Sequence, residues 1–217
     1  IAIAGLEKAN VSDTISAPEV ETPLESQPID PPTLSMKFSI NDSPLAGREG
    51  DKLTSRVLRA RLLREAEGNV ALKISETDQT DSFNVAGRGE LQLGILIETM
   101  RREGFELAVG RPEVIYKEEN GERMEPIEHV YVDCEEGFLG VVSEKLSKRK
   151  GRMINLVNHG SGRVQVQFNI PSRGLIGYRN EFLTDTRGTG ILNSYLSGYE
   201  PFRGDFPIRF TGSIVAD

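Results

Sequence analysis

The chain has 217 residues, no tryptophan, a formal charge of −7, and only one cysteine and two histidines. Cys134 alone excludes an internal disulfide and points to a reducing compartment, and with His129 and His159 it makes no zinc-ligand spacing, so no metal is expected. No apolar run approaches a membrane span, and 37% hydrophobic content suits small two-layer domains better than one large core.

Residues 1–6 read as a strand. No basic segment precedes them, so they are not a signal peptide. The chain opens in mid-strand without Met and reads as a piece of a longer protein. Residues 16–32 are rich in Pro, Glu and Ser, and Pro28, Pro31 and Pro32 forbid a helix. Residues 1–30 are therefore expected to be a strand fragment and a linker.

Residues 31–115 read as one module. Leu34–Ile40 alternates as a strand. The spacing predicts a helix over 47–67, with Leu58, Leu62 and Ala66 four residues apart and Gly68 closing it. Strands follow at 70–75 and 82–85, around a turn at 78–81. Gly87 and Gly89 make a tight turn. A helix runs from Glu90 with Leu93, Leu96, Ile97 and Met100 at helical spacing. The strand 105–109 ends at Gly110-Arg-Pro112. This β-α-β-β-α-β order is the split βαβ arrangement.

The order repeats over residues 116–197. A strand covers 127–134, and Phe138, Val141, Val142 and Leu146 stripe a helix ending near Lys150-Gly151. A hairpin, 152–158 with 163–170, turns at His159-Gly-Ser-Gly162. Pro171 and Ser172 open a helix carrying Leu175, Tyr178 and Phe182, and 191–196 returns as a strand. Residues 198–217 read as the start of a further domain. The expected class is α+β: two tandem ferredoxin-like two-layer sandwiches, each a four-stranded antiparallel sheet with both helices on one face, flanked by fragments of β domains.

The negative total hides an uneven distribution. Residues 116–136 hold two bases against eight acids, whereas 137–217 hold 11 bases against six acids. Lys145, Lys148, Arg149, Lys150 and Arg152 gather at a predicted helix end. The helix dipole favours one or two cations there, not five. Arg163, Arg173, Arg179 and Arg187 belong to the same module. All nine are candidates for RNA phosphate contact, to which guanidinium groups are suited. Arg56, Arg59, Arg61 and Arg64 spread around their helix and read as salt-bridging or solvated.

No catalytic set emerges. Two histidines support no nucleophile arrangement. The chain has no Gly-Lys dipeptide and so no phosphate loop. Asn10-Val-Ser-Asp13 has the spacing of a guanine-reading Asn-Lys-x-Asp without its lysine, and Gly87 and Gly89 lack the third glycine of a dinucleotide fingerprint. A rival reading is a tandem ferredoxin-like small-molecule sensor or protein-interaction module, which needs a polar pocket and no basic face. A single-strand RNA binder ranks third, because no aromatic stacking signature shows in the sequence.

Val85-Ala-Gly-Arg-Gly-Glu-Leu-Gln-Leu93, Met100-Arg-Arg-Glu-Gly104 and Gly110-Arg-Pro112 resemble the third domain of the translational GTPases related to elongation factor G, with Gln92 where His is usual. Glu125-Pro-Ile-Glu128, Gly137-Phe-Leu-Gly140 and Ser147-Lys-Arg-Lys-Gly151 resemble the fifth domain of the same family. Ile170-Pro-Ser-Arg-Gly-Leu-Ile-Gly-Tyr-Arg-Asn-Glu-Phe-Leu-Thr184 and Thr186-Arg-Gly-Thr-Gly190 are most similar to its ribosome-associated BipA (TypA) branch. Only residues 116–126 separate the modules, so the fourth domain of elongation factor G is absent. The LepA branch also lacks it but does not share the Arg-Gly-Leu-Ile-Gly-Tyr-Arg string. The resemblance covers essentially the whole chain and implies that residues 1–30 are the end of a β-barrel domain and a linker. It implies a cytoplasmic GTPase whose GTP and Mg2+ are held before Ile1. Such a protein binds the ribosome through rRNA, ribosomal proteins and tRNA, and is linked to large-subunit assembly, translation and stress adaptation. It engages neither DNA nor membrane. The piece in hand is then a docking and relay arm, monomeric, without cofactor or catalytic residues, and inactive on GTP by itself.

Overall fold

The computed structural model describes Gly5 and residues 13–22, 24–25, 31–158 and 160–207. The strand expected over 1–6 (apart from Gly5), His159 and the stretch 208–217 lie outside these residues. The chain divides into two compact units, Ile1–Glu113 and Val114–Asp217.

The first unit contains β1 (Leu34–Ile40), α1 (Ser55–Gly68), β2 (Lys73–Glu76), β3 (Ser82–Gly87), α2 (Glu90–Arg102) and β4 (Leu107–Val109), and a short β5 (Glu113–Val114) also pairs with β1. The sheet order is β2-β3-β1-β4, antiparallel throughout. The split βαβ order fixes this: β3 returns between β1 and β2. Register pairs Phe38 with Phe83 and Met36 with Val85. Directly opposite residues share a face. That face buries Leu34, Phe38, Phe83 and Val85 together with Leu58 and Leu62 of α1 and Leu93, Leu96 and Met100 of α2.

The first helix begins at Ser55, eight residues later than its periodicity suggests. Residues 47–54 are instead a loop gathered by one carboxylate. Glu106 Oε2 accepts the backbone N–H groups of Gly47 (2.9 Å), Glu49 (3.2 Å) and Gly50 (3.2 Å), and Oε1 accepts Asn41 Nδ2 (2.5 Å). A side chain just before β4, distant in sequence, thus takes donors that a helix would otherwise use. Desolvation is the largest influence on the Glu106 carboxyl and pushes it up, but the four donors outweigh it and hold its pKa below the ordinary value. Since the folded pKa is the lower one, this anion stabilises the fold above the ordinary carboxylate range, and the contribution fades as pH falls through it. β2 starts late, at Lys73, because Asn69 forms a turn: its Oδ1 accepts Ala71 N–H (3.2 Å) and its carbonyl accepts Leu72 N–H (2.9 Å). Gln92 has a local role as well. Its Oε1 accepts Arg88 N–H at 2.8 Å, closing the start of α2 in the manner of a capping box.

The second unit contains β6 (Lys117–Glu119), β7 (Glu122–Glu135), a 3-10 turn (Glu136–Phe138), α3 (Leu139–Lys148), β8 (Arg152–Asn158), β9 (Arg163–Pro171), α4 (Ser172–Leu175), α5 (Tyr178–Asp185) and β10 (Ile191–Pro201). Its sheet order, β10-β7-β9-β8, repeats that of the first unit, and β6 adds to β7. Val130, Val132 and Cys134 of β7, Val164, Val166, Phe168 and Ile170 of β9 and Leu192 of β10 form one core with Val142, Leu146, Tyr178 and Phe182 of the helices. Both units are therefore antiparallel sheets covered by helices, the expected α+β class.

Three details differ from the sequence reading. Residues 116–126 are a hairpin rather than a plain join: Asn120 (φ 54°) and Gly121 (φ 79°) make the paired left-handed turn that suits strand twist. The second helix breaks at Gly177 (φ 70°) into α4 and α5. β10 runs on to Pro201 across a bulge between Leu196 and Gly198, so residues 198–201, expected to open a new domain, complete the second sheet.

Two glycine substitutions in the first unit should act in opposite directions. A Cβ at Gly50 falls 2.5 Å from the Gly104 carbonyl oxygen, so Gly50→Ala should lower stability by about 1–3 kcal/mol. Gly94, in the exposed interior of α2, has nothing within 4 Å of a Cβ, so Gly94→Ala should raise stability by about 0.5–1 kcal/mol. Calorimetric melting of the two variants beside the parent reads both.

Candidate nucleic-acid interface

The basic cluster is built on the C-terminal turn of α3. Gly151 N–H bonds to Leu146 O (2.9 Å) and Lys150 N–H to Ser147 O (3.0 Å). This is the Schellman pattern, in which the residue after the cap is left-handed and usually glycine. Here that residue is Lys150, at φ 67°. The next must be glycine for space, since a Cβ on Gly151 would lie 2.8 Å from Leu146 O. Arg149 turns inward beneath the turn. Its Nη1 donates to Gly174 O (2.9 Å) and Ile176 O (3.2 Å), and Nη2 pairs with Glu181 (3.3 Å). A Cβ on Gly174 would lie 2.7 Å from Arg149 O, so this approach also requires glycine.

Lys148 and Arg152 remain on the outside, and Lys150 is half-buried at the turn. Lys148 is 69% exposed and pairs only with exposed Glu144 one turn away. Such a pair contributes roughly 0–1 kcal/mol and yields readily to a phosphate. The Lys150 ammonium and the exposed Arg152 guanidinium have no hydrogen-bond or ion-pair partner among the described residues.

The other five candidates sit elsewhere. Arg173 is turned into the protein, where Nε and Nη2 donate to the fully buried Glu125 carboxylate (2.5 and 3.3 Å) and Nη2 also donates to Gly204 O (2.6 Å). Phe202 and Phe206 lie 4.5 and 4.9 Å from this guanidinium. It acts as a structural counter-ion: its side chain is only 10% exposed, and Nε and Nη2, though not Nη1, are engaged inside the protein. Lys145 is tied to Asp185 (2.7 Å) on the neighbouring helix. Arg163 pairs with Asp133 and donates to Thr189 O, at the end of the sheet where β7 finishes. Arg179 is exposed and donates to Leu192 O (3.3 Å). Arg187 occupies the left-handed position (φ 50°) after α5, with Gly188 N–H on Leu183 O (2.8 Å), so the same turn motif presents a second cation. In the first unit Arg59 pairs with Glu76 and Arg61 with Glu65 and Glu103.

Arg203, which the sequence reading passed over, secures the cluster from below. Its Nη1 donates to Lys150 O (3.0 Å) and Asn169 O (2.8 Å), and its backbone N–H donates to Glu125 (2.8 Å). The turn bearing Lys150 is thus pinned to the end of β9 and to the residues following β10.

The open face of the second sheet carries a different chemistry. Register aligns Arg152, Asn169, His129 and Tyr195 in one row across β8, β9, β7 and β10, and Asn155, Gln167, Tyr131 and Asn193 in the next. The rings of His129, Tyr131 and Tyr195 lie within 4.7–6.2 Å of one another. His129 Nδ1 and Asn169 Oδ1 share a hydrogen bond of 3.0 Å. A hydrogen bond with Tyr131 raises the Tyr195 hydroxyl pKa above its ordinary value.

Comparison with known proteins identifies this architecture. Residues 122–209 match a family described as the elongation factor G C-terminus. Over its whole length the chain is 47% identical to the large ribosomal subunit assembly factor BipA of Synechocystis, 49% to that of Salmonella typhimurium and 47% to that of Bacillus subtilis. The chain belongs to the BipA family. It spans 36% of the length of these relatives.

The residues of this BipA-family chain do not fit a GTP–Mg2+ site. There is no Gly-Lys phosphate loop, and the described residues hold no group of three or more His, Cys, Asp or Glu placed for a metal. No helix among them is long and apolar enough to cross a membrane.

The network predicts two stability changes of opposite sign. Glu125→Ala leaves buried Arg173 unpaired and should cost about 3–5 kcal/mol. Lys150→Gly relieves a left-handed lysine and should gain roughly 1 kcal/mol or less, after the entropy of the added glycine. Urea denaturation midpoints distinguish the two.

Proposed function

We propose that this chain is the ribosome-contacting arm of a BipA-family translational GTPase, and that it grips rRNA phosphates with the turn after α3. The observation that carries this reading is the pairing pattern. Arg149, Arg173 and Arg203 are spent on internal acceptors that make the turn rigid. Exposed Lys148 and Arg152 and half-buried Lys150 have little or no internal engagement. Phosphates need cations that are positioned and free. The relatives' description as large ribosomal subunit assembly factors supports RNA of that subunit as the polyanion. Exposed Arg179 and Arg187 extend the contact beyond the turn, and Arg163 and Lys145 lend charge while remaining ion-paired.

In the full-length protein, GTP is bound with Mg2+ and hydrolysed in a domain outside this chain, which by itself neither binds GTP tightly nor turns it over. Ribosomal proteins and tRNA are further partners, the setting is the bacterial cytoplasm, and the activity serves subunit assembly and stress adaptation. The sensor reading has less support. A cleft of ≈ 360 Å³ in the first unit is lined by Arg61, Arg64, Glu65 and Glu103, but Arg61 is already bonded to both glutamates, which leaves little polarity for a ligand.

The test is binding of the 217-residue chain to purified large ribosomal subunits over a salt series. The Lys148→Ala/Lys150→Ala/Arg152→Ala variant should bind more weakly and with a flatter salt dependence, because each lost phosphate contact removes roughly 0.7–0.9 from the slope of log affinity on log salt. Binding equal to the parent across the series would refute the phosphate-contact assignment.

A further inference from the structure

We propose that the open face of the second sheet is a stacking platform for unpaired RNA bases. The inference shares with the proposed function the premise that the partner is RNA. It concerns another surface and another part of the nucleotide.

The platform is assembled by register. His129 and Tyr131 are two apart on β7 and so share a face, and Tyr195 of β10 is the direct partner of His129. Their other faces are closed off: Val130 and Val132 point into the core and are fully buried. The three rings therefore collect on the side of the sheet that no helix of this unit covers. Tyr195 is 53% exposed. The planes of Tyr131 and Tyr195 are 27° apart with centroids 6.2 Å apart. Full face-to-face contact brings ring carbons to about 3.5–4.0 Å, so neither tyrosine covers the other's face in full. The His129–Asn169 bond holds the histidine ring in place before any ligand arrives.

The surroundings suit a base better than an apolar peptide. The rings are flanked by the amides of Asn155, Gln167 and Asn193 in the second row. An amide carries a carbonyl acceptor and two N–H donors, the complement of base edges. Among the described residues, the carboxylate that register sets beside the second row, Asp133, is paired with Arg163. Arg152 begins the first row and has no partner among the described residues. One row thus offers a cation for a phosphate at one end and aromatic faces for bases at the other. Paired bases have their faces covered by neighbours in the helix and cannot use such a platform, so the ligand is single-stranded.

The 217-residue chain is titrated with octauridylate and with a 12-base-pair RNA duplex, using anisotropy of a labelled strand and tyrosine emission, which no tryptophan obscures. Octauridylate should bind more tightly than the duplex and quench tyrosine emission. Tyr195→Ala should weaken octauridylate binding roughly five- to 150-fold, the equivalent of ~1–3 kcal/mol for one stacked base, with its salt slope unchanged. Tyr195→Phe keeps the ring and should stay within about twofold of the parent. Tyr195 is exposed, and a melting curve matching the parent's checks the fold of each variant. Parent-like binding by Tyr195→Ala, or a duplex bound as tightly as the single strand, overturns the proposal. The Lys148/Lys150/Arg152 variant decides the proposed function separately: its failure would show in the salt slope on subunits, and the platform's failure in the response to Tyr195→Ala.

Discussion

Everything at the working end of the second unit hangs on the Glu125 carboxylate. It is fully buried and accepts hydrogen bonds from the Arg173 guanidinium and the Arg203 backbone. An isolated carboxylate in such a place is very costly, so the pair is obligatory once either charge is present. The consequence is geometric. Arg173 anchors the start of α4, Arg203 anchors the residues after β10, and the Arg203 guanidinium then reaches the carbonyls of Lys150 and Asn169. Three segments far apart in sequence meet at one acid. The α3 turn is held from beneath by charge, which leaves its upper surface free to present more charge.

That presentation has a conformational cost. Lys150 and Arg187 both stand at the left-handed position after a helix, where glycine is the relaxed choice. Two helices of one small unit end in the same motif with the same departure, a basic residue for a glycine. The tight approaches behind the α3 turn are kept by Gly151 and Gly174 instead. Backbone strain retained at an exposed cation, where relief by glycine is sterically open, is the kind of cost that accompanies a functional surface.

The fold was legible because its signal is repeated and local. Leu58 and Leu62, or Val130, Val132 and Cys134, show their period within one element, and the β-α-β-β-α-β order occurs twice. The late start of α1 was not legible. It depends on Glu106, more than fifty residues away, taking the donors of residues 47–50. The basic cluster could be read as a run of residue types, but not sorted. Arg149 and Arg152 are alike in sequence; one faces Gly174 O and the other faces solvent, and only the turn geometry separates them. Arg173 looked like a ligand because its partner, Glu125, lies 48 residues earlier in a strand rich in other acids. The platform was missed for a related reason. His129-Val130-Tyr131 alternates as an exposed aromatic pair would, and Asn120-Gly121 marks the hairpin that feeds it, but Tyr195 joins only when β10 pairs with β7.

Arg152 links the two surfaces. It follows Gly151 directly and so belongs to the α3 turn, and it opens the row that ends in Tyr195. Three strand spacings of about 4.8 Å separate the ends of that row, roughly 14 Å in all. In the proposed complex, a polyanion held at the turn has its next nucleotides above the amides and rings, not above the core or the helices. Part of the module's acid lies elsewhere: Glu118, Glu119 and Glu122 are exposed on the β6–β7 hairpin, and Asp133 is capped by Arg163, while Glu144 and Glu181 are paired with Lys148 and Arg149 at the turn itself. Charge fixes where the strand enters and repulsion from the hairpin limits how it is oriented, since fields between exposed groups act over a Debye length of about 8–10 Å. Stacking then favours unpaired segments over duplex. On the proposed reading, a chain that is acidic in total holds RNA through a few positioned cations, Lys150 and Arg152 unpaired among the described residues and Lys148 in one exposed pair, and the buried Glu125–Arg173 pair supplies the rigidity behind them.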